Sequence, residues 1–253
     1  MFPEVKFIFY PLTQAIGYLV FFVSIRAHLK SGGRHNKLAA LLTLVYLFCN
    51  GVMAKILHFA FRVDDPFPLV SFLNPLFYFK PGFWGWLLAF LPLSVLFPFV
   101  VKVNRLLYFR ALALTLPLII ALQKVSCFIS GCCAGAPTDL PWALVFPRRE
   151  SSEFYDVPVH PTQIYDMLLA LSWLLILKVV DKKEPLRPFL FPFFLLLYGV
   201  SRFSTEVLRP AFQDGLSDSQ KLEAVAIVMV LLLLAFGRKL WIRLLGVGGS
   251  PTT

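Results

Sequence analysis

Charge is what this sequence is short of. Only 15% of its 253 residues are Asp, Glu, Lys or Arg, and the acids number 14; an ordinary soluble domain carries about 25% charged residues. Too little charge is present to cover the surface of a soluble enzyme of this length. With 58% apolar residues, the chain is equally far from the composition of a disordered protein. Cysteine is scarce too, with four in the whole sequence, which excludes a small secreted module held by a disulfide framework. Internal repeats are not visible, which counts against the repeat-built transporters. What remains is hydrophobic, with a mean hydropathy of +0.75, and it reads as an all-α membrane protein.

A spanning helix needs about 20 mostly apolar residues. Seven stretches qualify: 7–25, 38–58, 83–101, 106–123, 162–180, 188–205 and 221–242. They read as one integral membrane domain over residues 1–253. The first lacks the basic head and small-residue cleavage site of a signal peptide. The fourth is the weakest, because Arg110 and Pro117 interrupt it, and the sixth is short and ends in charges.

Basic residues sort by side. Arg26, Lys30, Arg34 and Lys37 fill the first connection, Lys102, Arg105 and Arg110 the third, and Lys178, Lys182, Lys183 and Arg187 the fifth, while Arg238, Lys239 and Arg243 follow the last span. The alternate segments carry a net charge of zero or −1. The positive-inside rule then places the N-terminus outside and the C-terminus in the cytoplasm. The net charge of +10 becomes a cytoplasmic fringe rather than a nucleic-acid surface. Residues 244–253 read as a disordered tail.

The polar residues of interest gather on the outer side. Residues 124–161 form a long outer loop, and long ordered loops tend to be functional. The loop holds Cys127, Gly131, Cys132, Cys133 and Gly135, and small residues permit close backbone approach. At its end His160 and Pro161 lead into Thr162, Gln163, Tyr165 and Asp166. Pro161 suits the first turn of a helix, and Gln163 and Asp166 share a face. An acid this early in an apolar span should face a protein interior or a wet cavity.

Tyr198, Arg202, Glu206 and Arg209 are spaced 4, 4 and 3 apart, so they line one helical face. Glu206 alone reads equally well as an i,i+4 partner neutralising charge near an interface. The full stripe, with two guanidinium forks matched to phosphate, points to an anionic phospholipid headgroup. Lys80, ahead of Gly82 and Gly85, opens the third span from outside, where the glycines read first as packing positions. Lys55 reads as a snorkelling side chain and Cys49 as an apolar filler. Among the outer cysteines, zinc-ligand spacing of two to four residues fits the adjacent Cys132 and Cys133 badly, so no metal is expected. A disulfide from Cys127 to either neighbour is the natural pairing in an oxidising exterior.

These motifs resemble those of the bacterial prolipoprotein diacylglyceryl transferase family. His160-Pro161-Thr162-Gln163-Ile164-Tyr165-Asp166 is similar to its His-Pro-Ser/Thr-Gln-Leu-Tyr-Glu. Tyr198-Gly199, Arg202-Phe203, Glu206 and Arg209 are similar to its Tyr-Gly-x-x-Arg-Phe-x-x-Glu-x-x-Arg. Residues 124–135, followed by Pro137-Thr138 and Pro141-Trp142, correspond to its hallmark Arg-x-Gly-Asn-Phe-x-Asn-x-Glu loop. There Lys124 stands for the arginine, Cys127 for the asparagine and Cys132 for the acid, while Lys80 stands for an upstream histidine.

The resemblance implies a multi-pass enzyme of the bacterial inner membrane. It would transfer a diacylglyceryl group from phosphatidylglycerol to the lipobox cysteine in the signal-peptide region of a preprolipoprotein, releasing glycerol phosphate. No cofactor is implied. Arg202, His160, Lys124 and Lys80 would carry the chemistry. Tyr165, Gln163, Tyr198, Glu206, Arg209, Gly131 and Gly135 would shape the substrate site. Two other readings stay open: a paralogue that uses Cys127, Cys132 or Cys133 for thiol chemistry, and a non-catalytic phospholipid-binding protein.

Overall fold

The computed structural model describes residues 4–29, 35–48, 91–101, 103–146, 156–209 and 216–246. Among them the helices are α1 (Glu4–His28), α2 (His35–Phe48), α3 (Leu91–Val100), α4 (Arg105–Ser130), α5 (Thr162–Asp181), α6 (Leu190–Glu206), α7 (Asp218–Ala235) and α8 (Arg238–Leu245), with a 3-10 turn at Glu184–Phe189 leading into α6. Three helical segments are long and apolar enough to cross a membrane: α4, α5, and the 3-10 turn with α6. The bent pair α7–α8 makes a fourth if it counts as one span. The protein is therefore mostly helical, with three to four candidate spans among the described residues.

The chain divides into two units, residues 29–105 and residues 1–28 with 106–253. In the first, α2 buries Leu38, Ala39 and Leu42, and the Arg105 guanidinium lies 4.7 Å from the centroid of the Phe99 ring. The second unit holds the site.

In that unit α4 is the central element. It buries Tyr108, Phe109 and an unbroken run from Ala111 to Pro117. A helix apolar all round is one enclosed by neighbours or lipid. Helix α1 runs antiparallel along it: Ser24 Oγ lies 2.7 Å from Thr115 Oγ1, and Ser126 donates to Thr13 Oγ1 at 2.5 Å. At the start of α4, Arg110 forks onto Asp181 at the end of α5, with bonds of 2.6 and 2.7 Å. Phe109 packs on Phe191 of α6 and Trp241 of α8. The helices thus alternate in direction, with the starts of α4 and α6 and the ends of α5 and α7 at one pole. The ends of α4 and α6 and the starts of α5 and α7 lie at the other.

Two sequence expectations change. Residues 124–130, assigned above to the outer loop, continue α4 without a break, because Lys124 finds a carboxylate on α5 and need not leave the helix. The stretch 221–242 is two helices meeting at 85° rather than one straight rod. Gly237 caps α8, whose Trp241 is buried and donates to Pro188 O at 2.7 Å; Arg238, Lys239 and Arg243 stay in contact with solvent. Beyond α4 the loop closes with a two-stranded antiparallel ribbon, β1 (Leu144–Val145) on β2 (Pro158–Val159), and a bridge from Pro137 to Val159. Lys80, Lys55, Cys49, the second half of the predicted 38–58 span and residues 247–253 of the tail lie outside the described residues.

Candidate functional site

The end of α4 is set by Gly131, which takes the left-handed conformation with φ 67°. Cys132 N–H donates to Cys127 O at 3.1 Å and Gly131 N–H to Phe128 O at 3.0 Å. These are the paired bonds of a Schellman cap, which brings the side chain two residues past the helix end against the one near its last turn. Here both positions are cysteine, so the cap itself brings Cys127 to Cys132. Cys133 also adopts a left-handed backbone, φ 61°, a conformation that costs a non-glycine residue roughly 1–2 kcal/mol. Its sulfur lies 3.8 Å from that of Cys132, and all three sulfurs fall within 4.8 Å of one another.

The first turn of α5 holds this arrangement from below. Thr162 Oγ1 donates to Cys133 O at 2.5 Å, and Gln163 Nε2 donates to Cys132 O at 2.7 Å. Cys127 and Cys132 are buried and Cys133 is half-buried. Hydrogen bonds with the other two sulfurs, then the charges of Lys124 and Arg209, hold the Cys133 thiol well below its ordinary range. The three sulfurs stand unbridged, so neither disulfide considered above is present. The spacing argument against a shared ion assumes an extended chain between ligands; left-handed residues on both sides of Cys132, at Gly131 and Cys133, remove that objection.

One turn along α5, Asp166 is the hub of a buried ionic cluster. Its Oδ2 receives Lys124 Nζ at 2.6 Å and faces Arg209 Nη2 at 3.5 Å. Arg209 Nε lies 3.4 Å from Glu206, whose Oε2 is 2.7 Å from Arg202 Nη2, and Arg202 Nε lies 3.8 Å from Glu223 on α7. Three cations and three carboxylates therefore neutralise one another at the ends of α4 and α6 and the starts of α5 and α7. The pairs are close but poorly aligned: Arg202 Nη1, Arg209 Nε, Glu206 Oε2 and both Glu223 oxygens are buried with no hydrogen-bond partner among the described residues. Buried donors and acceptors are rarely left so, and Arg202 Nη1 in particular is a free fork arm.

A second group lies beside it. His160 packs edge-on against Tyr165 at 6.2 Å between ring centroids, and Tyr165 Oη accepts from Trp142 Nε1 at 2.7 Å. Gly135 donates to His160 O at 2.8 Å. A Cβ at residue 135 would stand 2.6 Å from His160 Cβ and 2.6 Å from Leu208 O, so only glycine lets the loop run between α5 and the end of α6. His160 Nδ1 is buried and unpartnered among the described residues. Tyr198 packs edge-on to Trp173 and stacks on Phe194.

The structure thus joins Lys124, Arg202, Glu206 and Arg209 in one network. It groups His160, Tyr165 and Gly135 beside that network, and ties Gln163 and Gly131 to the three cysteines. Two members carried no role in the sequence reading. Asp166 was legible as interior-facing, but its partners lie on other helices. Glu223 was hidden by the helix start: Ser217 and Gln220 form a capping box, and an acid one turn after such a box reads as an ordinary helical residue.

The family model described as prolipoprotein diacylglyceryl transferase matches residues 1–236. The phosphatidylglycerol–prolipoprotein diacylglyceryl transferase of Methylococcus capsulatus is 40% identical over 106 residues, 41% of this chain and 38% of that relative. The enzyme of the same name from Aeromonas hydrophila is 32% identical over 152 residues, covering 56% and 53%. That from Polynucleobacter asymbioticus is 38% identical over 96 residues, covering 37% and 34%. The chain spans between about a third and about a half of the length of these curated relatives.

Proposed function

The chain belongs to the prolipoprotein diacylglyceryl transferase family, and from that premise we propose that it transfers a diacylglyceryl group from phosphatidylglycerol to the lipobox cysteine of a preprolipoprotein, with release of glycerol phosphate. We read it as a seven-span protein of the bacterial inner membrane, N-terminus outside and C-terminus in the cytoplasm.

The observation that carries the reading is Arg202. Its guanidinium is buried, bound to Glu206 on one side, and keeps Nη1 without a partner among the described residues. A phosphate can take that arm without breaking an existing ion pair. Because the surrounding cluster is already neutral, an arriving headgroup adds the negative charge that the misaligned donors of Arg202 and Arg209 are left to meet. In the reaction the acceptor thiol loses its proton, its sulfur forms a bond to the glyceryl carbon, and the carbon–oxygen bond to phosphate breaks. Charge grows on the departing phosphate, where fixed cations act most strongly. Arg202 and Arg209 would stabilise that charge, Lys124 would add a point charge, and Glu206 and Asp166 would hold the cations in place. His160, with Nδ1 unpartnered, would accept a hydrogen bond from, or donate one to, the headgroup beside Tyr165.

The test is complementation of a transferase-depleted bacterium, read by lipidation of a reporter lipoprotein. Lipidation should be restored, and Arg202→Ala should abolish it at equal expression. A well-expressed chain that binds phosphatidylglycerol vesicles yet restores no lipidation would instead favour a non-catalytic lipid-binding protein.

A further inference from the structure

We propose that Cys127, Cys132 and Cys133 form a zinc site whose fourth position receives the thiol of the acceptor substrate. The identity of that thiol rests on the transferase reading; the metal site rests on the geometry of the three cysteines.

Zinc–thiolate bonds are about 2.3 Å long, so two sulfurs on one tetrahedral zinc stand about 3.8 Å apart. Cys132 and Cys133 already have that separation, at 3.8 Å. All three sulfurs lie within 4.8 Å, so the remaining distances close by no more than about 1 Å, which side-chain rotation can supply. The backbone is shaped for this convergence. The Schellman cap at Gly131 joins Cys127 to Cys132, and a left-handed Cys133 turns its sulfur toward the same point. Thr162 and Gln163 then fix both cysteine carbonyls from α5.

Electrostatics favours an ion over three bare thiolates. The sulfurs gather at the carboxyl end of α4, where the helix dipole disfavours anions and favours a cation. Three thiolates around a divalent ion carry a net charge of −1, against −3 without it. The number of ligands also fits. Among the described residues the cluster holds three, and zinc sites that act on a substrate use three protein ligands and leave the fourth position open. Cys133 is the half-buried member, so the open position lies on its side.

The placement suits thiol alkylation. Gln163 holds Cys132, and Asp166, three residues on, holds Lys124, which itself precedes Cys127 by three residues on α4. The thiol site and Lys124, one cation of the phosphate-binding cluster, are therefore one helical turn apart on the same two helices. The acceptor thiol would enter the fourth position and release its proton to solvent, since a coordinated thiol is deprotonated outright. Its sulfur then bonds to the glyceryl carbon while the electron pair of the breaking carbon–oxygen bond leaves on the phosphate. The thioether product is a weaker ligand and vacates the position. No electrons are exchanged with any third reagent.

The test uses the full chain in detergent, stripped with a chelator and reloaded with Zn(II) or Co(II) alone. Wild type should retain one zinc per chain. Zinc should protect Cys127, Cys132 and Cys133 from alkylation, as mapped by peptide mass spectrometry on the unmutated protein. Each Cys→Ser variant should lose at least about tenfold in zinc retention, a change expected even for outer partners of a metal. The Co(II) form should show thiolate charge-transfer bands that shift with a lipobox peptide and not with its Cys→Ser analogue. Absence of zinc retention and of thiol protection in wild type overturns the site, as does undiminished retention in the triple Cys→Ser variant. Bands that the cysteine peptide leaves unmoved overturn the substrate position. A chain that passes these metal tests but restores no lipidation refutes the transferase reading alone. One that lipidates equally after its metal is removed refutes the catalytic part of this proposal alone.

Discussion

Asp166 makes the residue-scale case most directly. It is 5% exposed and answers two cations, Lys124 at 2.6 Å and Arg209 at 3.5 Å. Removing one partner of a buried pair leaves an uncompensated charge and costs about 3–5 kcal/mol. Asp166→Asn keeps the shape and removes the charge, so its thermal unfolding midpoint in detergent should fall clearly. Lys124→Met in the same background should recover part of the loss, because the two groups are coupled. An unchanged midpoint in Asp166→Asn would mean that Lys124 and Arg209 find other counter-charges. The residue types of this network were readable from spacing alone on α6, where Arg202 and Glu206 are an i,i+4 pair. The rest of it was not. Asp166, Lys124 and Glu223 sit on three different helices, and a single sequence contains no statement of which helices meet.

At the scale of the element, the informative feature is how α4 ends. Gly131 has φ 67°, and alanine there would lose roughly 1 kcal/mol relative to glycine and loosen the cap that pairs Cys127 with Cys132. Gly131→Ala should lower the yield of a short bifunctional thiol reagent linking those two cysteines, measured by peptide mapping; an unchanged yield would show that the cap does not set their separation. The Gly-Cys-Cys sequence was visible from the start. Its meaning depends on a left-handed turn following a helix that extends seven residues farther than composition suggests, and ligand-spacing rules do not encode that. The other helix end that differs from expectation is the 85° bend between α7 and α8. There Trp241 donates to Pro188 O and packs on Phe109. Trp241→Ala removes both contacts, so hydrogen exchange over residues 238–245 should rise while that of α5 stays unchanged.

At the largest scale, the unit formed by residues 1–28 and 106–253 is polarised along its helices. One pole of the unit formed by residues 1–28 and 106–253 holds Arg110 on Asp181, Arg187 bonded to Asp181 O and the basic face of α8; the other holds the cysteines and the ionic cluster. Arg110 and Lys124 are 14 residues apart on one continuous helix, a separation of about 21 Å at 1.5 Å per residue, most of a bilayer's hydrocarbon thickness. The basic pole is the one the positive-inside rule assigns to the cytoplasm. Fusing a fluorescent protein that matures only in the cytoplasm after residue 246 should give fluorescent cells, whereas alkaline phosphatase fused there should be inactive. Inserted between residues 138 and 142 of the outer loop, phosphatase should be active. The reverse pattern would turn the cysteine cluster and Arg202 toward the cytoplasm, away from a lipoprotein signal region emerging on the far side. The transferase reading would then lose its acceptor, although every contact within the cluster stayed as described.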